Sequence, residues 1–266
     1  MEVIMIGIFD SGLGGLTAVK EMIKLSPNEE LIYFGDTGRV PYGNRSSATI
    51  TKYACQDAAF LLSKKVDAIV VACGTVSTTS LSHLKETLPI PVIGVVEPSA
   101  EAAVKATKNG KIAVIGTAAT IRSGAFEHAI KELSPDCEVI TQACPLFVPL
   151  VENGFVQDDC EITRLAAEHY LTKIRESGAD TLILGCTHYP IIAGVISKVL
   201  PNVTLISSGA EAAKKALEVL GKKEDSGRGS VSYYVSDDPT MFVSNASLFL
   251  GGEINGTVKK ININDY

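Results

Sequence analysis

Eight short runs rich in Ile, Val and Leu recur along the chain, at Val3–Phe9, Leu31–Phe34, Ala68–Ala72, Val92–Val96, Ile112–Ile115, Glu138–Ala143, Leu182–Gly185 and Val203–Ile206. Longer amphipathic windows fall between them, at Leu16–Lys24, Ala48–Lys64, Val76–Glu86, Ser99–Lys108, Thr120–Lys131 and Ile162–Glu176, and one more follows at Ala210–Leu220. Continuous β-branched runs leave no polar face for water, so such strands are buried on both sides. Alternation with helices makes them parallel, because parallel neighbours need a crossover between them. The pattern predicts an α/β protein.

The runs also repeat. Val66-Asp-Ala-Ile-Val-Val-Ala-Cys73-Gly-Thr75 aligns without gaps to Ala179-Asp-Thr-Leu-Ile-Leu-Gly-Cys186-Thr-His188, 113 positions later. Leu88-Pro89 returns as Leu200-Pro201, Ala100-Glu-Ala-Ala103 as Ala210-Glu-Ala-Ala213, and Gly7–Ser11 resembles Ala113–Thr117. Four matches in order, at offsets between 106 and 113, point to two duplicated α/β halves.

Six cysteines, Cys55, Cys73, Cys137, Cys144, Cys160 and Cys186, form no CxxC and no tight Cys/His cluster. A chain of 266 residues buries a core without disulfide or metal staples. Neither a disulfide framework nor structural zinc is therefore expected, and a thiol is by default a small packing residue. Cys73 and Cys186 depart from that default because each follows a buried strand directly. Ligands of parallel sheets bind outside the carboxyl ends of strands. Pseudo-symmetric halves facing one another would put these two sulfurs on opposite sides of one cleft. Two thiols flanking a carbon can remove a proton from one face and return one to the other, inverting a stereocentre with no cofactor and no metal.

Other polar groups cluster at strand ends. Asp10 and Ser11 close the first run before Gly12-Leu-Gly14-Gly15. A dinucleotide-binding turn fits poorly there, since the third glycine comes two positions early and Asp10 would face an anionic pyrophosphate. Asp10 then either caps the following helix or points into the cleft, where it could bind an ammonium group or assist a thiol. The Gly35–Gly43 stretch holds Asp36, Arg39 and Tyr42 among turn-forming residues and could offer backbone N–H groups to a small anion. Thr117 and Thr120 occupy the equivalent turn of the second half, as helix caps or as anion ligands. His188 lies two residues past Cys186 and is a candidate proton-transfer partner. Glu152 ends an apolar run that directs it toward core or cleft, where a buried carboxylate needs a partner; His188 is the candidate. His83, His128 and His169 read as surface or packing residues.

Composition narrows the partners. A net charge of −6 lacks the basic face of a phosphate-backbone binder, so no nucleic acid is expected. Apolar residues make up 46% of the chain, yet the longest apolar runs around 68–73 and 92–96 fall far short of the ~20 residues that span a bilayer. The N-terminus has no basic region and no small-residue cleavage site. A soluble, cytoplasmic protein without membrane association is expected.

Five stretches together carry a family resemblance: Gly7-Ile-Phe-Asp-Ser-Gly-Leu-Gly-Gly15, Gly35-Asp-Thr-Gly-Arg-Val-Pro-Tyr-Gly43, Val71-Ala-Cys-Gly-Thr75, Ala143-Cys-Pro-Leu-Phe-Val-Pro-Leu-Val-Glu152 and Leu184-Gly-Cys-Thr-His-Tyr-Pro190. In this order, over roughly residues 1–220, the chain resembles the glutamate racemases of the cofactor-independent aspartate/glutamate racemase superfamily. The resemblance implies two pseudo-symmetric α/β domains, each with a central, mostly parallel sheet flanked by helices, and an active site in the interdomain cleft. The division expected is 1–97 plus 208–266 for the first domain and 98–207 for the second. It implies that Cys73 is the base toward D-glutamate and Cys186 the base toward L-glutamate. Asp10 would assist Cys73, and His188, supported by Glu152, would assist Cys186. Substrate contacts would come from Asp10, Ser11, Tyr42, Gly43, Gly74, Thr75, Thr187 and His188, with Thr117 and Thr120 as further candidates. D-glutamate for peptidoglycan synthesis is the implied product, and a homodimer the implied assembly.

One departure stands out: the family usually has Asn after the first cysteine, and this chain has Gly74. Only a backbone N–H is left for that substrate contact. Both cysteines are present, so a decarboxylase relative with one active-site cysteine fits less well. Two rivals stay open: racemisation of another substrate such as aspartate or a hydantoin, and a non-catalytic module whose halves clamp a small acid. The tail from Ser226 has strand-like stretches at Val231–Val235 and Val258–Ile263 but no assignable chemistry.

Overall fold

The structure, a computed structural model, describes residues 4–221 and 229–266. Val3 of the first expected strand and the start of the tail at Ser226 lie outside the described residues. Ten strands form two wholly parallel sheets.

The first sheet holds β1 (Met5–Asp10), β2 (Glu30–Gly35), β3 (Ala68–Val71) and β4 (Val92–Ile93). The second holds β5 (Lys111–Gly116), β6 (Glu138–Ala143), β7 (Thr181–Leu184) and β8 (Thr204–Ser207). The chain then returns to the first sheet with β9 (Ser230–Val235) and β10 (Val258–Lys260). Strand order is β10-β9-β2-β1-β3-β4 in one sheet and β6-β5-β7-β8 in the other. The segment β2-β1-β3-β4 thus has the order of β6-β5-β7-β8, and the sequence repeats fall on equivalent strands: Gly7–Ser11 and Ala113–Thr117 on β1 and β5, the two cysteine runs on β3 and β7. Every residue of β3 and β7 is buried, as continuous apolar runs require.

Helices cover the sheets. Before β5 come α1 (Leu16–Leu25), α2 (Ser47–Ser63), α3 (Gly74–Thr79), α4 (Leu81–Thr87) and α5 (Val96–Ala106). After it come α6 (Ala118–Arg122), α7 (Ala125–Leu133), α8 (Phe147–Glu152), α9 (Glu161–Ser177), α10 (Ala193–Val199), α11 (Ser208–Leu220) and α12 (Pro239–Leu250). Ser46 caps α2 by accepting the Thr49 N–H, and Asp238 caps α12 by accepting that of Thr240. Gly178 and Gly251, in left-handed conformation, end α9 and α12. Among the described residues no helix is long and apolar enough to cross a membrane.

Three expected elements differ. The window 76–86 is two helices, α3 and α4, broken at Ser80, where φ is −131°. In α3 the hydroxyls of Ser77, Thr78 and Thr79 bond backbone carbonyls, a competition that disfavours a longer helix. The window 120–131 breaks at Gly124, whose φ of +67° a helix cannot hold. The expected strand Val92–Val96 stops at Ile93, because Gly94 passes so close to Leu81 that a Cβ would lie 2.3 Å from its methyl, and α5 begins at Val96 with Pro98 in its first turn. Helices α8, α10 and α12 fall outside the windows expected from sequence.

Candidate active site

The carboxyl ends of β1, β3, β5, β6 and β7 open on one cavity of about 330 Å³ between the two sheets. All thirteen residues singled out from sequence line it: Asp10, Ser11, Tyr42, Gly43, Cys73, Gly74, Thr75, Thr117, Thr120, Glu152, Cys186, Thr187 and His188. The two cysteines follow the ends of equivalent strands, each steadied by a serine. Ser77 donates to the carbonyl of Val71 at 3.0 Å, and Ser208 donates to that of Leu184 at 2.8 Å. Val71 and Leu184 stand at the same place in the repeat, so both sulfurs rest on braced strand ends.

Their surroundings differ. The Cys73 thiol donates to Ser11 Oγ at 3.6 Å. Burial, then the negative charge of Asp10, pushes it up to about 12, against hydrogen bonds from Val76 and Ser11. It is held as a thiol. Cys186 Sγ instead lies 3.9 Å from His188 Nδ1, while His188 Nε2 lies 3.1 Å from Glu152 Oε1. Burial alone would lower the imidazole, but hydrogen bonds to Cys186 and Glu152, with the charges of Cys186 and Asp10, raise it to about 10. The ring carries both protons at neutral pH, donating one toward the sulfur and one to Glu152. A thiol on one wall thus faces a sulfur beside an imidazolium on the other.

Asp10 does not cap α1; Gly15 stands at that position with no side-chain cap. Its Oδ2 accepts the Gly12 N–H at 3.0 Å, and its buried Oδ1 has no hydrogen-bond partner. Burial raises its protonation equilibrium above the ordinary carboxylate value, opposed by the charge of His188 and three backbone N–H groups. A lone buried carboxylate oxygen facing a cavity is an acceptor waiting for a donor. The glycines after it serve close approach: a Cβ at Gly14 would lie 2.1 Å from Thr187 Oγ1 and 2.6 Å from His188 Nδ1. Thr17 at the start of α1 donates to the carbonyl of Thr187 at 3.0 Å, tying the turn to the opposite wall.

Hydroxyls line the same cavity. Thr75 and Thr117 lie 3.3 Å apart, Thr117 and Thr120 3.1 Å apart, and Thr117 also accepts the Thr120 N–H as the cap of α6. Tyr42 turns its hydroxyl away, donating to Asp36 and lying 3.0 Å from Asp57, so toward the cavity it offers ring and backbone. Glu152 meets His188 as expected, yet its side chain is 47% exposed, not buried. It sits at the end of α8, past the last buried residue, Val151.

Cys144, expected to be packing only, also lines the cavity. It is fully buried, and burial followed by the nearby Cys186 raises its thiol far above the ordinary value. Its place directly after β6 was the same strand-end signal that picked out the other two. Cys137 is buried, Cys55 and Cys160 are half-buried, and His83, His128 and His169 are exposed.

Comparisons with known proteins agree with this geometry. The family model for Asp/Glu/Hydantoin racemase matches residues 18–216. A glutamate racemase of Geobacter metallireducens is 48% identical over 263 residues, covering 97% of this chain and 96% of that protein. One from Chlorobaculum tepidum is 47% identical over 255 residues, covering 94% and 93%. Among solved structures, the glutamate racemase of Francisella tularensis in complex with D-glutamate superposes with a TM-score of 0.90 at 37% identity, covering 100% of both chains. A Bacillus anthracis glutamate racemase isoform gives 0.91 at 38% identity, covering 97% of this chain and 98% of that one. The chain belongs to the Asp/Glu/Hydantoin racemase family and is an isomerase, an amino-acid racemase.

Proposed function

We propose that this protein interconverts L- and D-glutamate by proton transfer between Cys73 and Cys186 across the α-carbon. One observation carries the reading: two strand-end cysteines on equivalent strands line one cavity, in electrostatically opposite surroundings. Glutamate is favoured as substrate by the relatives' names and by the neighbour described with D-glutamate.

In the L-to-D direction the proposed reaction starts from Cys186 as the base beside His188 and Cys73 as the thiol on the opposite wall. L-glutamate presents its α-hydrogen to Cys186, whose sulfur takes the proton and leaves the electron pair on the α-carbon and carboxylate. Cys73 then donates its proton to the opposite face, giving D-glutamate with Cys186 as thiol and Cys73 as thiolate. From D-glutamate the transfers reverse. The substrate ammonium pairs with the free oxygen of Asp10, which offsets the charge opposing a Cys73 thiolate. Ser11, Tyr42, Gly43, Gly74, Thr75, Thr117, Thr120 and Thr187 line the pocket with hydroxyls and backbone N–H groups for the two carboxylates. The walls exclude water, so the developing negative charge meets fixed dipoles. Both proton transfers are carried by thiols, so the proposed chemistry uses no cofactor.

The unit boundaries we adopt are 1–97 with 208–266 and 98–207. They are supported by the strands of the first sheet coming from both ends of the chain and by the packing of α11 against α1. Cytoplasmic supply of D-glutamate for peptidoglycan, by a homodimer, completes the reading. The test is incubation of each enantiomer in D2O: α-hydrogen exchange must accompany decay of optical activity from both sides. Exchange-free binding would leave a clamp for small acids. Faster turnover of aspartate or a hydantoin across a substrate panel would reassign the substrate.

A further inference from the structure

The loop after β2 carries Asp36 and Arg39, and α2 carries Asp57; none of the three lines the cavity. Asp36 and Asp57 are completely buried, and Arg39 lies between them. Its Nε donates to Asp36 Oδ2 at 2.5 Å, one terminal nitrogen to Asp57 Oδ1 at 2.8 Å, and the other to Gln56 Oε1 at 2.6 Å. The guanidinium stacks 4.1 Å from the Tyr53 ring centre. Tyr42 has one hydroxyl proton yet touches both acids. The contacts close when Tyr42 donates to Asp36 and a protonated Asp57 donates to Tyr42, and burial beside Asp36 does raise Asp57 well above the ordinary carboxylate value.

A strand from the far end of the chain completes the cluster. Ser236, just past β9, donates to Asp36 Oδ1 at 2.7 Å and accepts the Gly38 N–H at 2.8 Å. Its own N–H reaches the carbonyl of Gly35, and the Asp237 N–H reaches Thr37 Oγ1. Within residues 38–44, Gly38, Val40, Pro41 and Asn44 are exposed and Tyr42 alone is buried. Little apolar packing holds this segment, so its order depends on the polar cluster beneath it.

We propose that Asp36, Arg39, Asp57 and Ser236 are positioning residues that fix the Tyr42-Gly43 wall of the cavity, and that Ser236 is how the C-terminal segment serves the site. Arg39 lies in the stretch expected to offer backbone N–H groups to a small anion, but its own donors are spent on Asp36, Gln56 and Asp57. The proposal deepens the glutamate reading and rests on it only for the identity of the substrate.

Ser236→Ala and Ser236→Thr are compared with the parent protein by amide hydrogen exchange and by kinetics with both enantiomers. Ser236→Ala is expected to speed exchange across residues 36–44 about tenfold, with β1 unchanged. It should raise KM for both enantiomers about threefold or more while kcat stays within about twofold. Ser236→Thr, which keeps the hydroxyl, should restore both. Unchanged loop exchange overturns the proposal. So does faster exchange with unchanged KM, which is what a merely structural serine would give. If the parent does not turn over glutamate, that substrate reading falls, and loop exchange together with KM for the panel's best substrate still decides the positioning role.

Discussion

Gly74 and Gly185 meet backbone to backbone across the cavity: a Cβ on Gly74 would lie 2.3 Å from the Gly185 carbonyl oxygen. Gly185 has no room for a side chain either, since its own Cβ would lie 2.8 Å from the carbonyl oxygen of Ile115. The Asn that the family resemblance leads one to expect at position 74 therefore does not fit this arrangement without a shift of the Gly185 turn. Gly74 lets the two cysteine-bearing turns touch. Gly74→Asn is expected to force the walls apart and lower kcat by about tenfold or more, since small misplacements are costly in proton transfer. Steady-state rates within twofold of the parent would mean the turns separate freely.

Asp10 places a charge where the fold alone does not want one. Its burial and its partnerless oxygen cost stability, and its charge adds to burial in holding Cys73 as a thiol. Asp10→Asn is expected to lower racemisation in both directions by about 10²-fold. It should also raise the melting temperature and speed alkylation of Cys73 by iodoacetamide, because the opposing charge is gone. Slower alkylation would contradict the role assigned to that charge.

Glu152 acts on His188 from a half-exposed position, so solvent screens much of the interaction. Glu152→Gln keeps a hydrogen-bond acceptor for Nε2 and should lower kcat by only about 3–10-fold. His188→Asn removes the cation beside Cys186 and should cost about 10²–10³-fold, mainly from L-glutamate. Equal losses from both enantiomers in His188→Asn would break the assignment of His188 to one wall.

The sheets and the cavity were legible because parallel strands are buried on both faces and write themselves as apolar runs. The repeat then aligned Cys73 with Cys186, and their strand-end positions did the rest. Asp57 escaped because an acid in an amphipathic helix reads as solvent-facing. Its spacing from Ile50, Ala54, Ala58 and Leu61 nevertheless puts it on the buried face of α2. Helix α12 has a start signal in Asp238-Pro239, although the pattern of the tail otherwise favours strands. The partners of Ser236 lie two hundred residues away, a distance that local pattern cannot bridge. Glu152 meets His188 but is half-exposed, since an apolar run shows which segment is buried and not where its last residue points.

Stability should fall with rising pH through the window set by His188. In the unfolded chain its imidazole titrates near 6.5, and in the folded protein near 10. Below 6.5 both states hold the proton, and the full stabilisation by Cys186 and Glu152 is present. Between 6.5 and 10 only the folded state holds it, so each step in pH favours unfolding until the folded state also loses the proton. Every 1 kcal/mol lost lowers Tm by about 2–4 °C in a protein of this size. Melting curves from pH 6 to pH 10 should therefore descend by several degrees in the parent and more shallowly in His188→Asn. A parent curve no steeper than that of the variant would show that His188 is neutral in the folded protein and that no cation stands beside Cys186.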